Sequence, residues 1–242
     1  MMWIEKFRNT AYSWLLGDFP RHKFPSVAII PFENPDLYDE VPLLSQLKKI
    51  QYINTFIFGL YKNTPIAISS PKFGAPAVAM TLDVLSLTPV QTIIGIGYCG
   101  RLNKNIACGD IVIPISSYID EGTSRQYGNK KLQSYASGVL IEKTQSTCNR
   151  LLIKHHVGLI WSTDGILRET DEKLSYFSRK KAIVVDMESS AAFTVGRHFN
   201  KSVASILVGS DNPLSGENMV LEKLRTGYAN AVKTALETLH NL

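Results

Sequence analysis

The stretch Gln91-Thr92-Ile93-Ile94-Gly95-Ile96-Gly97-Tyr98-Cys99-Gly100, continued by Arg101-Leu102-Asn103-Lys104-Asn105 and the apolar run Ile111 to Pro114, decides between two kinds of α/β fold. Gly95, Gly97 and Gly100 spell G-x-G-x-x-G after a β-branched run, the spacing of a dinucleotide-binding turn. Such a turn needs a helix that starts there, so that its N-terminus meets the pyrophosphate. No helical pattern follows Gly100; a polar turn and a second strand do. The dinucleotide reading fails on that context. The glycines are expected instead to let the backbone approach a small ligand at the C-terminal end of a strand.

Working outward, helix-patterned segments alternate with apolar, β-branched runs. Pro76 to Leu87 precedes Gln91 to Ile96, Lys143 to Lys154 precedes Val157 to Ser162, and Glu172 to Lys180 precedes Ala182 to Asp186. Glu188 to His198 reads as a helix, Val203 to Gly209 as a strand, and a long helix runs from about Glu217. Upstream, Ser26 to Pro31, Thr55 to Leu60 and Pro65 to Ser70 read as strands, with Tyr61-Lys62-Asn63-Thr64 as a hairpin turn. Residues 2 to 16 space Trp3, Phe7, Trp14 and Leu15 as one face of an amphipathic helix that packs on the body or on a neighbouring subunit. The alternation predicts an α/β fold with a central mixed, mostly parallel sheet flanked by helices on both faces. No low-complexity tract or Pro/Gly/Ser-rich linker divides the 242 residues, so one domain is expected over 1–242, with residues 1–24 as an N-terminal helical extension.

Composition bounds the function classes. Hydrophobic residues make up 45% and charged residues 19%, values of a compact globular chain. The net charge of +5 is dispersed, with Lys130-Lys131 and Arg179-Lys180-Lys181 among its few short basic runs, which argues against nucleic-acid binding. Cys99, Cys108 and Cys148 fit neither a disulfide framework nor paired zinc-ligand spacing. His155 and His156 have no partner at metal-ligand spacing. Trp14-Leu15-Leu16 is too short for a signal or membrane segment, so a cytoplasmic protein without membrane contact and without metal is expected.

Four segments carry the chemistry. They are FGAPAVAM (73–80), GIGYCGRL through GDIVIP (95–114), STDGILRET (162–170) with VVDMESSAAF (184–193), and LVGSDN (207–212). In that order and spacing the chain resembles the nucleoside phosphorylase superfamily, which includes purine nucleoside and uridine phosphorylases and nucleosidases. Asp120-Glu121-Gly122-Thr123-Ser124 further resembles a less characterised branch of it. The resemblance implies a partly barrel-like sheet surrounded by helices, a homo-oligomer (dimer-based, trimer or hexamer), and an enzyme of nucleoside salvage that transfers a pentosyl group.

It also implies roles for individual residues. Glu188 matches the carboxylate that accepts hydrogen bonds from the ribose 2′ and 3′ hydroxyls, and Met187 the residue packed under the sugar. An ionised carboxylate is an acceptor-only group suited to two vicinal O–H donors, and its charge would stabilise an oxocarbenium-like transition state. The alternative reading makes Glu188 a helix N-terminal acid beside Asp186 as cap. Asp211 matches the aspartate that protonates the departing base in purine-cleaving members, although Asp-Asn-Pro is also an ordinary strand-ending turn. Arg225 lies near where purine-specific members place a supporting arginine, and a solvated helix charge explains it equally. Gly97, Tyr98 and Cys99 at the glycine-rich strand end, with Ser162, Thr163, Asp164, Ile166 and Asp186, are expected to line the substrate pocket. Ile166 and Leu167 stand where many members carry a stacking aromatic, which leaves Trp161 or Tyr98 to stack on the base.

The largest departure concerns phosphate, the possible co-substrate. Typical members hold it with an arginine and a hydroxyl on the glycine-rich strand end and with an arginine on an early loop. Here those strand positions read Gly95 and Tyr98, and the early loop reads Pro31-Phe32-Glu33-Asn34-Pro35-Asp36, with two acids and no arginine. Arg101, Arg125 or Arg168 could substitute. Alternatively water attacks, with Glu33 in the region where nucleosidases carry the activating glutamate. The sequence thus predicts cleavage of the N-glycosidic bond of a purine-type nucleoside, by phosphorolysis or hydrolysis. The alternative is a catalytically degenerate nucleoside sensor.

Overall fold

The computed structural model describes residues 2–32, 42–70 and 72–242, so Glu33 and the rest of the early loop lie outside the described residues. The chain opens on α1 (Met2–Leu16). Its body-facing stripe is Ala11, Tyr12, Leu15 and Leu16, all buried, whereas Trp3, Phe7 and Trp14 face outward. Of the face expected from the sequence, only Leu15 belongs to the buried stripe. Arg8 of α1 donates to Asp83, and the Tyr127 hydroxyl donates to the other Asp83 oxygen at 3.1 Å, which locks the helix to the body.

Strands β1 (Val27–Pro31), β3 (Phe56–Tyr61) and β4 (Thr64–Ser69) appear where their apolar runs place them. Lys62 and Asn63 join β3 to β4 with φ of 45° and 70°, a two-residue turn whose twist suits an antiparallel pair. Before them lie the short helix α2 (Pro42–Ser45) and the exposed edge strand β2 (Lys48–Ile53), whose paired lysines suit a solvated edge. Then come α3 (Ala75–Leu85), β5 (Thr92–Arg101), β6 (Ile111–Asp120), the single turn α4 (Thr123–Gln126) and β7 (Gln133–Tyr135). The second half is α5 (Gly138–Arg150), β8 (His155–Thr163), α6 (Asp171–Arg179), β9 (Val184–Asp186), α7 (Ser189–His198), β10 (Ser202–Gly209) and α8 (Leu221–His240).

The strands form one mixed sheet in the order β10-β6-β8-β9-β5-β1-β4-β3-β2, with β7 paired to β6 off this path, and β10 also pairs with β5. That extra pairing closes β5, β10, β6, β8 and β9 into a ring, from which β1, β4, β3 and β2 extend as an open wing. The long ladders inside the ring, β5 with β10 and β6 with β8, are parallel, while β10 with β6 and β5 with β9 are short antiparallel contacts. Helices cover both faces. α3 and α7 pack over the cluster of Ile30, Val78, Leu82, Phe193 and Leu207, and α8 packs over Ile94, Ile206, Val208 and Leu236. The mixed, partly barrel-like α/β fold expected from the sequence is the fold observed. No helix among the described residues is long and apolar enough to cross a membrane.

The G-x-G-x-x-G stretch lies wholly inside β5, so no helix starts from it. Its first two glycines do not serve backbone approach to a ligand. An added Cβ at Gly95 would stand 2.0 Å from Cζ of Phe32, and one at Gly97 would stand 2.8 Å from Cβ of Phe32. The space above these glycines is filled by the Phe32 ring, itself only 1% exposed.

Candidate active site

A cleft with about 480 Å³ of empty volume opens where β5, β9 and β10 end. It is lined by Tyr98, Cys99 and Gly100 from β5, by Val185 and Asp186 from β9, by Met187 and Glu188 beyond it, and by Ser210 and Asp211 after β10. Phe73, Ile166 and Glu169 complete the lining. Ligand sites in open α/β sheets collect at such strand ends.

The turn from β9 into α7 places the acids. Asp186 caps the helix, its Oδ2 accepting from the Ser189 amide at 2.9 Å, while Ser162 Oγ donates to its Oδ1. Ser162 also accepts from the Ser190 amide at 3.0 Å and pairs with the Ser117 hydroxyl at 2.8 Å, so Asp186 sits on a buried hydroxyl network. Burial pushes the Asp186 carboxyl above the ordinary carboxylate range, against these hydrogen bonds.

With the cap supplied by Asp186, Glu188 is turned elsewhere. It occupies the N-cap position of α7 but makes no side-chain cap hydrogen bond. Its Oε1 accepts from the Gly74 amide at 2.7 Å and its Oε2 from the Met187 amide at 3.1 Å, and the side chain is buried at the cleft wall. Gly74 stands at φ 82° and ψ 159°, a backbone region that side chains other than hydrogen rarely enter. Glycine there is what aims an amide at Glu188. The reading of Glu188 as a mere helix-end acid does not match this geometry, because Asp186 does the capping.

Across the cleft, Asp211 follows β10. Its Oδ1 accepts from Ser210 Oγ at 2.7 Å, and its carbonyl accepts from the Arg101 amide at 2.8 Å. Glu169, in the loop before α6, lines the same cleft. Burial, together with the negative charge of Asp211, pushes its carboxyl up to about 7, against the opposing charge of Lys173.

Several predicted site residues are brought together here: Glu188, Met187, Asp211, Asp186, Tyr98, Cys99 and Ile166 all border the cleft. Others are not among its lining residues. Gly97 is covered by Phe32. Ser162 and Thr163 are buried under the floor, and the exposed Asp164 accepts from the Gly122 amide at 2.9 Å. Trp161 is fully buried, stacked on Phe177 with ring centroids 4.3 Å apart, which leaves Tyr98 and Phe73 as the cleft's aromatics. Arg101 donates to the carbonyls of Ser210 and Ile106 and pairs with Glu217, so it ties down the loop that carries Asp211. Arg168 and Arg125 are exposed outside the lining, as is Arg225 on α8. Glu169 and Phe73 were not singled out by sequence reasoning. Glu169 is one more acid in a polar loop, and only burial beside Asp211 distinguishes it.

The phosphorylase superfamily model matches residues 28–241. The chain belongs to the phosphorylase superfamily. Within it, a purine nucleoside phosphorylase DeoD-type of Bacillus velezensis is 26% identical over 227 residues, covering 93% of this chain and 92% of the relative. A guanosine phosphorylase of Halorubrum lacusprofundi is 24% identical, covering 88% of this chain and 92% of the relative. A crystal structure of uridine phosphorylase from Vibrio fischeri superposes with a TM-score of 0.81 at 26% identity, covering 91% of this chain and 94% of that one. The superfamily match and the superposition agree with the ring of strands.

Proposed function

We propose that this member of the phosphorylase superfamily is an enzyme that cleaves the N-glycosidic bond of a nucleoside, with a purine-type base as the leaving group. The observation that carries the reading is Glu188, a buried carboxylate oriented by two backbone amides at the cleft wall beside Met187. A carboxylate fixed in this way can accept from two vicinal sugar hydroxyls and oppose positive charge growing at C1′. The Glu169–Asp211 pair stands on the other side. With its carboxyl held at about 7 by burial and by the charge of Asp211, Glu169 can carry a proton near neutral pH and deliver it to the base as it departs. The purine preference rests on Asp211 and on relatives named for purine nucleosides and guanosine. Tyr98 and Phe73 are the rings available to the base.

Incubation with a panel of purine and pyrimidine nucleosides, followed by chromatography of released base, tests the reading. Glu188→Gln is expected to lower base release by ~10²–10³-fold, the cost of losing one preorganised charged group, with the melting temperature retained. Undiminished release by the variant rejects the role of Glu188. Binding of a nucleoside without release by the unaltered chain favours a sensor instead.

The homo-oligomer implied by the resemblance forms part of the same proposal. Trp3, Ile4, Phe7 and Met80 expose an apolar patch along α1 and α3 of the kind that association covers. Sedimentation of only a 26.9 kDa species would reject it.

A further inference from the structure

We infer that the group attacking C1′ in this cleft is water and not inorganic phosphate. The inference rests on the reading of the cleft as a nucleoside-cleaving site and adds its nucleophile.

The first argument is charge. Glu169, Asp186, Glu188 and Asp211 line the cleft, and among the described residues no lysine, arginine or histidine does. Protonation of Glu169 or Asp186 reduces the negative charge but supplies no cation. Phosphate binds where guanidinium or ammonium groups offer paired donors, and uncompensated carboxylates repel it. The loop from Glu33 to Val41 cannot reverse the balance, since it reads Glu-Asn-Pro-Asp-Leu-Tyr-Asp-Glu-Val, with four acids and no basic residue.

The second argument concerns the cations close by in sequence. Arg101 lies outside the lining, with Nε and Nη1 engaged by the Ser210, Asp211 and Ile106 carbonyls and by Glu217, and with Nη2 buried and without a hydrogen-bond partner among the described residues. Lys72, next to Phe73, is buried outside the lining, where its Nζ donates to Ser70 Oγ at 2.6 Å. Burial lowers the Lys72 pKa, which disfavours a charge there further.

The third argument is space. Positions 95, 97 and 99 share one face of β5 by strand alternation, and Cys99 lines the cleft. A cationic side chain at 95 or 97 would project from that same face, but the Phe32 ring fills the space there, 2.0 Å from the Cβ place of Gly95. An apolar ring and a row of acids meet a neutral nucleophile at no electrostatic cost.

In the step so written, the water oxygen bonds to C1′ while the C1′–N bond breaks and its electron pair stays with the base. The base nitrogen takes the proton held by Glu169, and the proton lost by water restores Glu169. The products are free base and free pentose, with no oxidant or second substrate.

The test uses the full chain with a nucleoside panel in phosphate-free buffer and in millimolar inorganic phosphate, measuring released base and the form of the sugar. The expected result is base release that changes by no more than about twofold on adding phosphate, with the sugar appearing as the free reducing pentose. Release that requires phosphate, with the sugar as its 1-phosphate, overturns the inference while leaving the cleavage reading in place. Absence of base release in either medium, with every nucleoside, rejects the cleavage reading itself and the water route with it.

Discussion

Glu169 is the residue at which folding and chemistry meet. Its carboxyl titrates near 7 in the folded chain against a reference value of 4.5, so the native state holds the proton more tightly than the unfolded chain does. Between about pH 4.5 and about pH 7 folding is accompanied by proton uptake, and stability falls as pH rises through that window. Above about 7 the whole penalty is present. Glu169→Gln removes the ionisation, so the variant is expected to melt a few degrees above the unaltered chain at alkaline pH and at the same temperature below about pH 4.5. The same substitution should lower base release by roughly 10²-fold or more and erase the limb of its pH profile near 7. A melting difference that does not vary with pH would show that the carboxyl does not titrate there. Legibility differs sharply between residues at this scale. Glu188 and Asp211 were readable because their neighbours carry a pattern, Asp186-Met187-Glu188 and Gly209-Ser210-Asp211. Glu169 carries its information in burial and in a neighbour from a different strand end, and no local pattern encodes either.

Among the elements, β5 repeats the lesson in a different form. The apolar run to Ile96 is readable as a strand, yet the strand continues to Arg101. Glycine weakens the strand pattern, and at Gly95 and Gly97 it is used because Phe32 packs there. Similarly, β6 continues past Pro114 to Asp120, since Ser116 and Ser117 pair with β8 and the Ser117 hydroxyl joins the buried Ser162 network. The lysine-rich β2 and the three-residue β7 lack the apolar alternation that marks a strand and were not legible. The Phe32 packing predicts a specific coupling. Gly95→Ala places a methyl where Cζ of Phe32 lies and should cost ~1–3 kcal/mol by overpacking. In a Phe32→Ala background that clash has no partner. Urea unfolding of the two single variants and the double variant is therefore expected to yield a coupling energy of at least ~1 kcal/mol. Strict additivity of the two costs would mean that the ring does not occupy the space above Gly95.

For the molecule as a whole, the closure of the ring was the part least legible from pattern alone. β5 and β10 are far apart in sequence, and nothing in either run specifies that Ser202 stands beside Thr92 or Gly209 beside Cys99. The alternation of strands and helices led to a layered sheet, and only the family resemblance pointed to a barrel. A buried acid on the last helix ties the β3–β4 hairpin of the open wing to the body. Glu237 of α8 accepts from Tyr61 and Lys62 at the β3–β4 hairpin and from Arg150 at the end of α5, at 3.2 Å for the last. Burial alone would raise its carboxyl, but the hydrogen bonds from Lys62, Tyr61 and Arg150 outweigh it and hold the group at about 2. Because the folded value lies below the unfolded one, this contribution is fully present above about pH 4.5 and is lost as pH falls toward about 2. Glu237→Gln keeps the shape but gives up the charge-assisted bonds. It should therefore cost ~1–3 kcal/mol at neutral pH, a drop of several degrees in melting temperature for a chain of this length. The cost should shrink steadily in acid until variant and unaltered chain melt together near pH 2. Lys62 and Arg150 are half exposed and regain water when the carboxylate is lost, which keeps the cost below that of stranding a buried cation. Melting curves recorded across the acid range decide the matter: a gap that stays constant down to low pH would mean that Glu237 stabilises through packing and not through its charge.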